Sequence, residues 1–208
     1  MSDALVIFLH GVGSRGADFS GLGELWQEAL PDAQFVAPDA PQPFDFGGNG
    51  RQWFSVSGVT EINRPERVRE ARAAFNRVIA GVITEYGFAD RLDRVALVGF
   101  SQGSIMALDA VVSGRWPVGA VVAFSGRLAS PPPLSHTDAT PILLLHGTDD
   151  ATMPITLCRE AQIALTGLGM AVAAKELPGV GHEISAEGAR IAIQFLQDQF
   201  ERKVATHD

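Results

Sequence analysis

The sequence predicts an α/β fold with a mostly parallel central sheet, helices on both faces and no large cap domain. Two observations predict it. Short, continuous apolar runs rich in Val, Ile and Leu recur along the chain, as in strands buried on both faces. Stretches of helical period separate them, and parallel neighbours need such crossover connections. The strongest runs are residues 4–9, 94–99, 118–124 and 141–145, with weaker strand candidates at 34–37 and 170–177. Between 34–37 and 94–99, Val68, Ala71, Phe75, Val78, Ile79, Val82, Ile83 and Tyr86 recur at steps of three and four, which marks an amphipathic helix. Asn63, Pro65 and Glu66 predict a capped start, and Gly87 suits the end. Shorter helical patterns cover 102–113, 155–165 and 183–200. The proline-rich stretches 38–43 and 130–133 are short enough to be loops.

The 208 residues fit a single domain over residues 1–208, and an apolar fraction of 46% with 19% charged residues is that of an ordinary globular chain. A net charge of −8 without a basic cluster argues against nucleic acid as a partner. The longest apolar runs fall well short of the roughly 20 residues that a membrane-spanning helix needs. Met1, Ser2 and Asp3 lead straight into the first apolar run with no positive segment before it, so no secretory signal is expected. The single Cys158 can form neither an intramolecular disulfide nor a cysteine metal cage. The expectation is a cytoplasmic protein without metal or cofactor.

Gly99-Phe100-Ser101-Gln102-Gly103 follows the strongest strand and precedes a helix, the context of a Gly-x-Ser-x-Gly nucleophile elbow. Glycines are needed where the chain reverses sharply, because a side chain there would collide with neighbouring backbone. Ser101 then stands at a helix N-terminus, where developing negative charge is favoured. A serine hydroxyl needs a base within reach, and histidine suits that role near neutral pH. His207 lies in a polar tail and His136 in a Ser-Thr-Asp loop, while His10 and His146 each precede glycine at a strand end and are expected to pack against loops there. His182, in the turn Gly179-Val180-Gly181-His182-Glu183, remains as the base. The orienting carboxylate is expected in the segment 145–154, which offers Asp149 and Asp150 side by side. Serine, acid, histidine is the chain order of α/β-hydrolases. Amides of Gln102 and of Val12, in the loop after the first strand, are the expected oxyanion donors.

At these residues the chain resembles the bacterial carboxylesterase/phospholipase family, which includes acyl-protein thioesterases and lysophospholipases. Its Leu-His-Gly-x-Gly loop is matched by Leu9 to Gly13, its Gly-Phe-Ser-Gln-Gly elbow by Gly99 to Gly103, and its His-Gly-x-x-Asp-x-x-Val-Pro segment by His146 to Pro154. That alignment selects Asp150 as the acid. The family's Gly-x-Gly-His is matched by Gly179 to His182. Arg51-Gln52-Trp53-Phe54-Ser55-Val56 resembles the family's aromatic lid segment, with Ser55 where many members carry aspartate; Gly50 to Val56 is most similar to a bacterial esterase subgroup. Ala151 and Met153 depart from the commoner acid-loop pattern and bear on substrate preference.

The resemblance implies a serine esterase for short to medium acyl chains, with acyl-protein thioesterase or lysophospholipase as the alternative. A non-catalytic binding protein of the same fold is the reading from another class. Loops after the strands converge on the site, which makes Trp53, Phe54, Val59, Leu128 and Met153 candidate lining for an apolar substrate pocket. Trp53 and Phe54 suit a buried anchoring role equally well. The expected partner is a small-molecule ester or thioester, and the expected state a monomer or weak homodimer.

Overall fold

Side chains of the central strands divide by parity between two cores, as the period of two in a strand requires. In β1 (Ala4–Leu9), buried throughout, Leu5, Ile7 and Leu9 enter one core while Ala4, Val6 and Phe8 enter the other. The first core is closed by α2 (Arg64–Glu85), α3 (Gln102–Val112) and α4 (Ile155–Gly167). The second is closed by α1 (Ser20–Gln27) and α5 (Ala186–Ala205). The computed structural model describes residues 3–135 and 140–205 of the chain.

The remaining strands of this sheet are β2 (Ala33–Val36), β5 (Val95–Phe100), β6 (Ala120–Phe124), β7 (Ile142–Gly147) and β8 (Val172–Leu177). They lie in the order β2-β1-β5-β6-β7-β8 with every neighbouring pair parallel. The chain steps outward from β1 to β2 and then returns to place β5 on the other side of β1. The C-terminal ends of β1 and β5 therefore flank a topological switch point, where an open α/β sheet leaves a crevice for ligands. Residues 37–63, between β2 and α2, carry only the two-residue antiparallel strands β3 (Gln42–Pro43) and β4 (Arg51–Gln52), so a hairpin rather than a cap domain stands above the sheet.

The expected cap of α2 is corrected by the structure. Asn63 makes no side-chain cap bond. Instead Thr60 N–H donates to Asn63 Oδ1 (2.7 Å) and Asn63 N–H donates to Thr60 Oγ1 (3.2 Å), a reciprocal capping box one turn earlier. Glu66 pairs with Arg69. The other end is as expected: Gly87 has φ +75°, and the Gly87 and Phe88 amides donate to Thr84 O and Ile83 O. This closes a Schellman motif and drops Phe88 into the core.

Candidate active site

Ser101 joins β5 to α3 in a conformation that costs energy, with φ 53° and ψ −116° for a residue bearing a side chain. Close packing holds it there. Its N–H donates to Phe124 O (3.0 Å) on the neighbouring strand. A methyl group on Gly103 would stand 1.9 Å from Leu9 O, and one on Gly99 would stand 2.5 Å from Ser104 N. Only glycine permits α3 to approach the sheet this closely. The Gln102 amide is in the first turn of α3, where N–H groups have no intrahelical acceptor.

The loop after β8 carries His182 over the elbow. His182 Nε2 lies 3.0 Å from Ser101 Oγ, and Nδ1 lies 2.7 Å from Asp150 Oδ2. A carboxylate at Nδ1 fixes the proton there and leaves Nε2 free to accept from the serine hydroxyl. The imidazole also packs 4.9 Å from the Phe100 ring. Asp150 is 5% exposed, and its Oδ1 accepts from the Met153 (2.7 Å) and Thr152 (3.0 Å) amides. Burial alone would push its pKa up, but the Met153 amide and the bond and charge of His182 outweigh that and hold it below the ordinary carboxyl value. Asp149 points elsewhere: it is exposed, and its carboxylate accepts from Thr148 Oγ1 (2.9 Å). The structure thus brings Ser101, His182 and Asp150 together and leaves Asp149 in solvent.

His10 and His146 are buried and bonded to the site's loops. His146 Nε2 donates to Met153 O (2.6 Å) and lies 3.5 Å from Asp150 Oδ2, so it supports the turn that presents the acid. His10 Nδ1 donates to Gly11 O (2.7 Å) while Nε2 accepts from the Ala40 amide (2.9 Å), and burial lowers its pKa. These bonds orient the loop that carries half-buried Val12. The Gly13 amide adds a bond to Arg51 O (2.8 Å). His136 and His207 lie outside the described residues. Among the described residues no cluster of His, Cys, Asp and Glu is placed to hold a metal ion.

For Trp53 and Phe54 burial favours the anchoring role over pocket lining. They are 1% and 3% exposed and lie within the core, so their rings offer no surface to a substrate. Trp53 Nε1 donates to His10 O (2.9 Å), and its ring packs against Phe75. Gln102 ties this segment to the elbow: Oε1 accepts from the Trp53 amide (2.7 Å) and Nε2 donates to Phe54 O (2.8 Å). Sequence reasoning singled out only the backbone of Gln102. Its side chain, which spaces the aromatic segment from the nucleophile, joins residues far apart in the chain and left no local signal. Val59, Leu128 and Met153 are half-buried, the latter two against the same core. A separate groove of about 550 Å³ opens beside His182, walled by Phe19, Leu22, Leu25, Phe100, Ile184 and Ala189, and includes none of the five expected lining residues.

A parallel sheet whose strand ends carry a strained serine, a buried carboxylate and a histidine, in that chain order, has the α/β-hydrolase fold. The sequence model described as phospholipase/carboxylesterase matches residues 1–199, and the chain belongs to that family, whose class is that of ester hydrolases. Esterase YpfH of Escherichia coli is 34% identical over 195 residues, 93% of this chain and 82% of the relative. Acyl-protein thioesterase 1 of Gibberella zeae is 28% identical over 96% of this chain and 92% of its own. The crystal structure of esterase PE8 superimposes with a TM-score of 0.85 at 31% identity, covering 95% of this chain and 93% of that one. No described helix is long and apolar enough to cross a membrane.

Proposed function

We propose that the protein is a carboxylesterase for short to medium acyl chains, acting through an acyl-serine intermediate. The observation that carries this reading is the single imidazole that spans Ser101 Oγ (3.0 Å) and Asp150 Oδ2 (2.7 Å). Ser101 Oγ attacks the ester carbonyl as His182 Nε2 takes its proton, and the Val12 and Gln102 amides receive the oxyanion. As the carbon–oxygen bond to the alcohol breaks, His182 returns that proton to the leaving oxygen. Water then attacks the acyl-serine with His182 again as base, releasing the acid and restoring Ser101. Asp150, already ionised, fixes the imidazole tautomer and stabilises the imidazolium. No metal or cofactor enters these steps. Val59, Leu128 and Met153 supply apolar surface for the acyl chain.

The same chemistry serves a thioester, and similarity to an acyl-protein thioesterase favours that as the second reading. Parallel panels of esters and thioesters with acyl chains of two to about sixteen carbons, a range set by the size of an ordinary apolar pocket, separate the two. Higher kcat/KM on short esters supports the carboxylesterase, and a preference for long thioesters overturns it. The reading places one catalytic domain over residues 1–208, acting as a monomer or weak homodimer in the cytoplasm. A lone, buried Cys158 and a net charge of −8 without a basic cluster support that setting and argue against a nucleic-acid partner.

A further inference from the structure

We infer that the groove beside His182 is the subsite for the alcohol half of the substrate, and that it selects an apolar alcohol carrying no negative charge. The inference rests on the proposed esterase reading and adds the leaving group to it. The departing oxygen must come within hydrogen-bond reach of His182 Nε2, so the alcohol's first carbons lie along the imidazole edge. The oxyanion is drawn toward the Val12 and Gln102 amides, and the acyl chain, the remaining substituent of the carbonyl carbon, is given by the proposed reading to Val59, Leu128 and Met153, none of which lines this groove. The groove starts where the alcohol must go. His182 and Gly11 are among its lining residues, and Phe100, also in its lining, packs 4.9 Å from that imidazole. A methyl group on Gly11 would stand 3.4 Å from Ser101 Cβ and 3.2 Å from the Phe100 ring, so the missing side chain keeps the groove open up to the nucleophile.

Its walls set the chemistry of the occupant. Leu22, Leu25, Phe100 and Ile184 present apolar surface, and Leu25 is 59% exposed. An alkyl or aryl alcohol of several carbons would bury this surface. Besides His182, the ionisable residues of the groove are Asp18 and Glu183, both acids. Asp18 accepts from Ser14 Oγ and from the Arg15 amide, which hold its pKa below the ordinary value and keep it charged. Among the described residues no arginine or lysine lines the groove. An anionic leaving group, such as a carboxylate- or phosphate-bearing alcohol or thiol, meets like charge there.

The test compares acetates of methanol, 1-hexanol and 6-hydroxyhexanoate with methyl esters of acids of matching length. Wild type is expected to prefer hexyl over methyl acetate by about tenfold in kcat/KM, the scale of fully burying one to two of the added methylenes in an open groove. The carboxylate-ended acetate should fall severalfold below hexyl acetate at low salt, with the gap narrowing as salt rises. Leu25→Lys removes apolar wall and adds a cation at an exposed site, so it should lower the hexyl preference severalfold and raise the relative rate of the carboxylate-ended ester. Ile163→Lys, at an exposed apolar residue of α4 outside the groove, should leave both ratios unchanged. Length dependence confined to the acyl series overturns the inference by making the groove an acyl site, as does length dependence in neither series. Failure to hydrolyse any of these esters would instead sink the esterase reading itself.

Discussion

Asp150 has both carboxylate oxygens engaged, Oδ1 by two amides of its own turn and Oδ2 by His182. An amide in its place would favour the wrong imidazole tautomer while leaving the fold intact. Asp150→Asn is therefore expected to lower kcat by about 10⁴, the loss seen for the equivalent change in a serine protease, with Asp149→Asn within a few-fold of wild type. Steady-state kinetics on a short-chain ester, with thermal melts as the control, decide it; a crippling Asp149→Asn would shift the acid by one residue. The depressed pKa of Asp150 also fixes a sign. Its contribution to stability is present above the unfolded carboxyl range near 3.8 and is lost as pH falls through the lower folded value. Asp150 stays ionised through mildly acidic pH, so it should add nothing to the slope of log kcat/KM against pH, which is expected to be one. A slope of two would mean that a second group titrates. Ser101 and His182 were legible because a strained elbow requires glycines and because the other histidines sit in less suitable contexts. The choice between Asp149 and Asp150 came from the resemblance. The anchoring of Trp53 was left open, since burial depends on distant residues.

Elements were legible in proportion to their burial. The four strongest apolar runs became the four inner strands β1, β5, β6 and β7, while the two weaker candidates became the edge strands β2 and β8. An edge strand covers less, and in β8 half-buried Val172 and Ala174 alternate with exposed Ala173 and Lys175. Helix α1 was not singled out in the sequence because it spans only eight residues, too short for its period to stand out, although Trp26 is buried. The segment leading to α2 is held by an acid that sequence reasoning did not single out. Asp45 accepts from Gln52 Nε2, Ser55 Oγ and the Val56 and Ser57 amides, and the Gln52 bond first, then that from Ser57, lowers its pKa to about 2. This restraint is present above the unfolded carboxyl range and is lost as pH falls toward 2. Asp45→Asn should speed hydrogen exchange of the Val56 and Ser57 amides near neutral pH; unchanged protection would show that other contacts hold them. Gln102→Leu would strand the buried Trp53 amide and Phe54 carbonyl, costing roughly 2 kcal/mol or more. At this size that lowers Tm by about 4 to 8 °C. An unchanged Tm would show that the tether contributes nothing.

The whole molecule places its chemistry where the sheet's order reverses. The oxyanion loop leaves β1 and the elbow leaves its neighbour β5, so residues from the start and the middle of the sequence meet at one crevice. Alternation of strand and helix made the parallel sheet legible, but not the order β2-β1-β5-β6-β7-β8, nor the groove, because both depend on how separate helices dock. The proposal also sets what is not required. Cys158 is buried in the core, and burial pushes its thiol up to about 11, which leaves little reactive thiolate. Ester hydrolysis should therefore survive both a thiol reagent and exhaustive chelation. Inhibition by chelation that zinc restores would contradict a metal-free site. The most direct test labels the protein with a fluorophosphonate and maps the adduct by mass spectrometry, beside Ser101→Ala. The expected result is one adduct per chain, on Ser101, with ester hydrolysis lost in proportion to labelling and nearly absent in Ser101→Ala. An adduct on another residue, or a Ser101→Ala variant that hydrolyses esters at close to the wild-type rate, would contradict it.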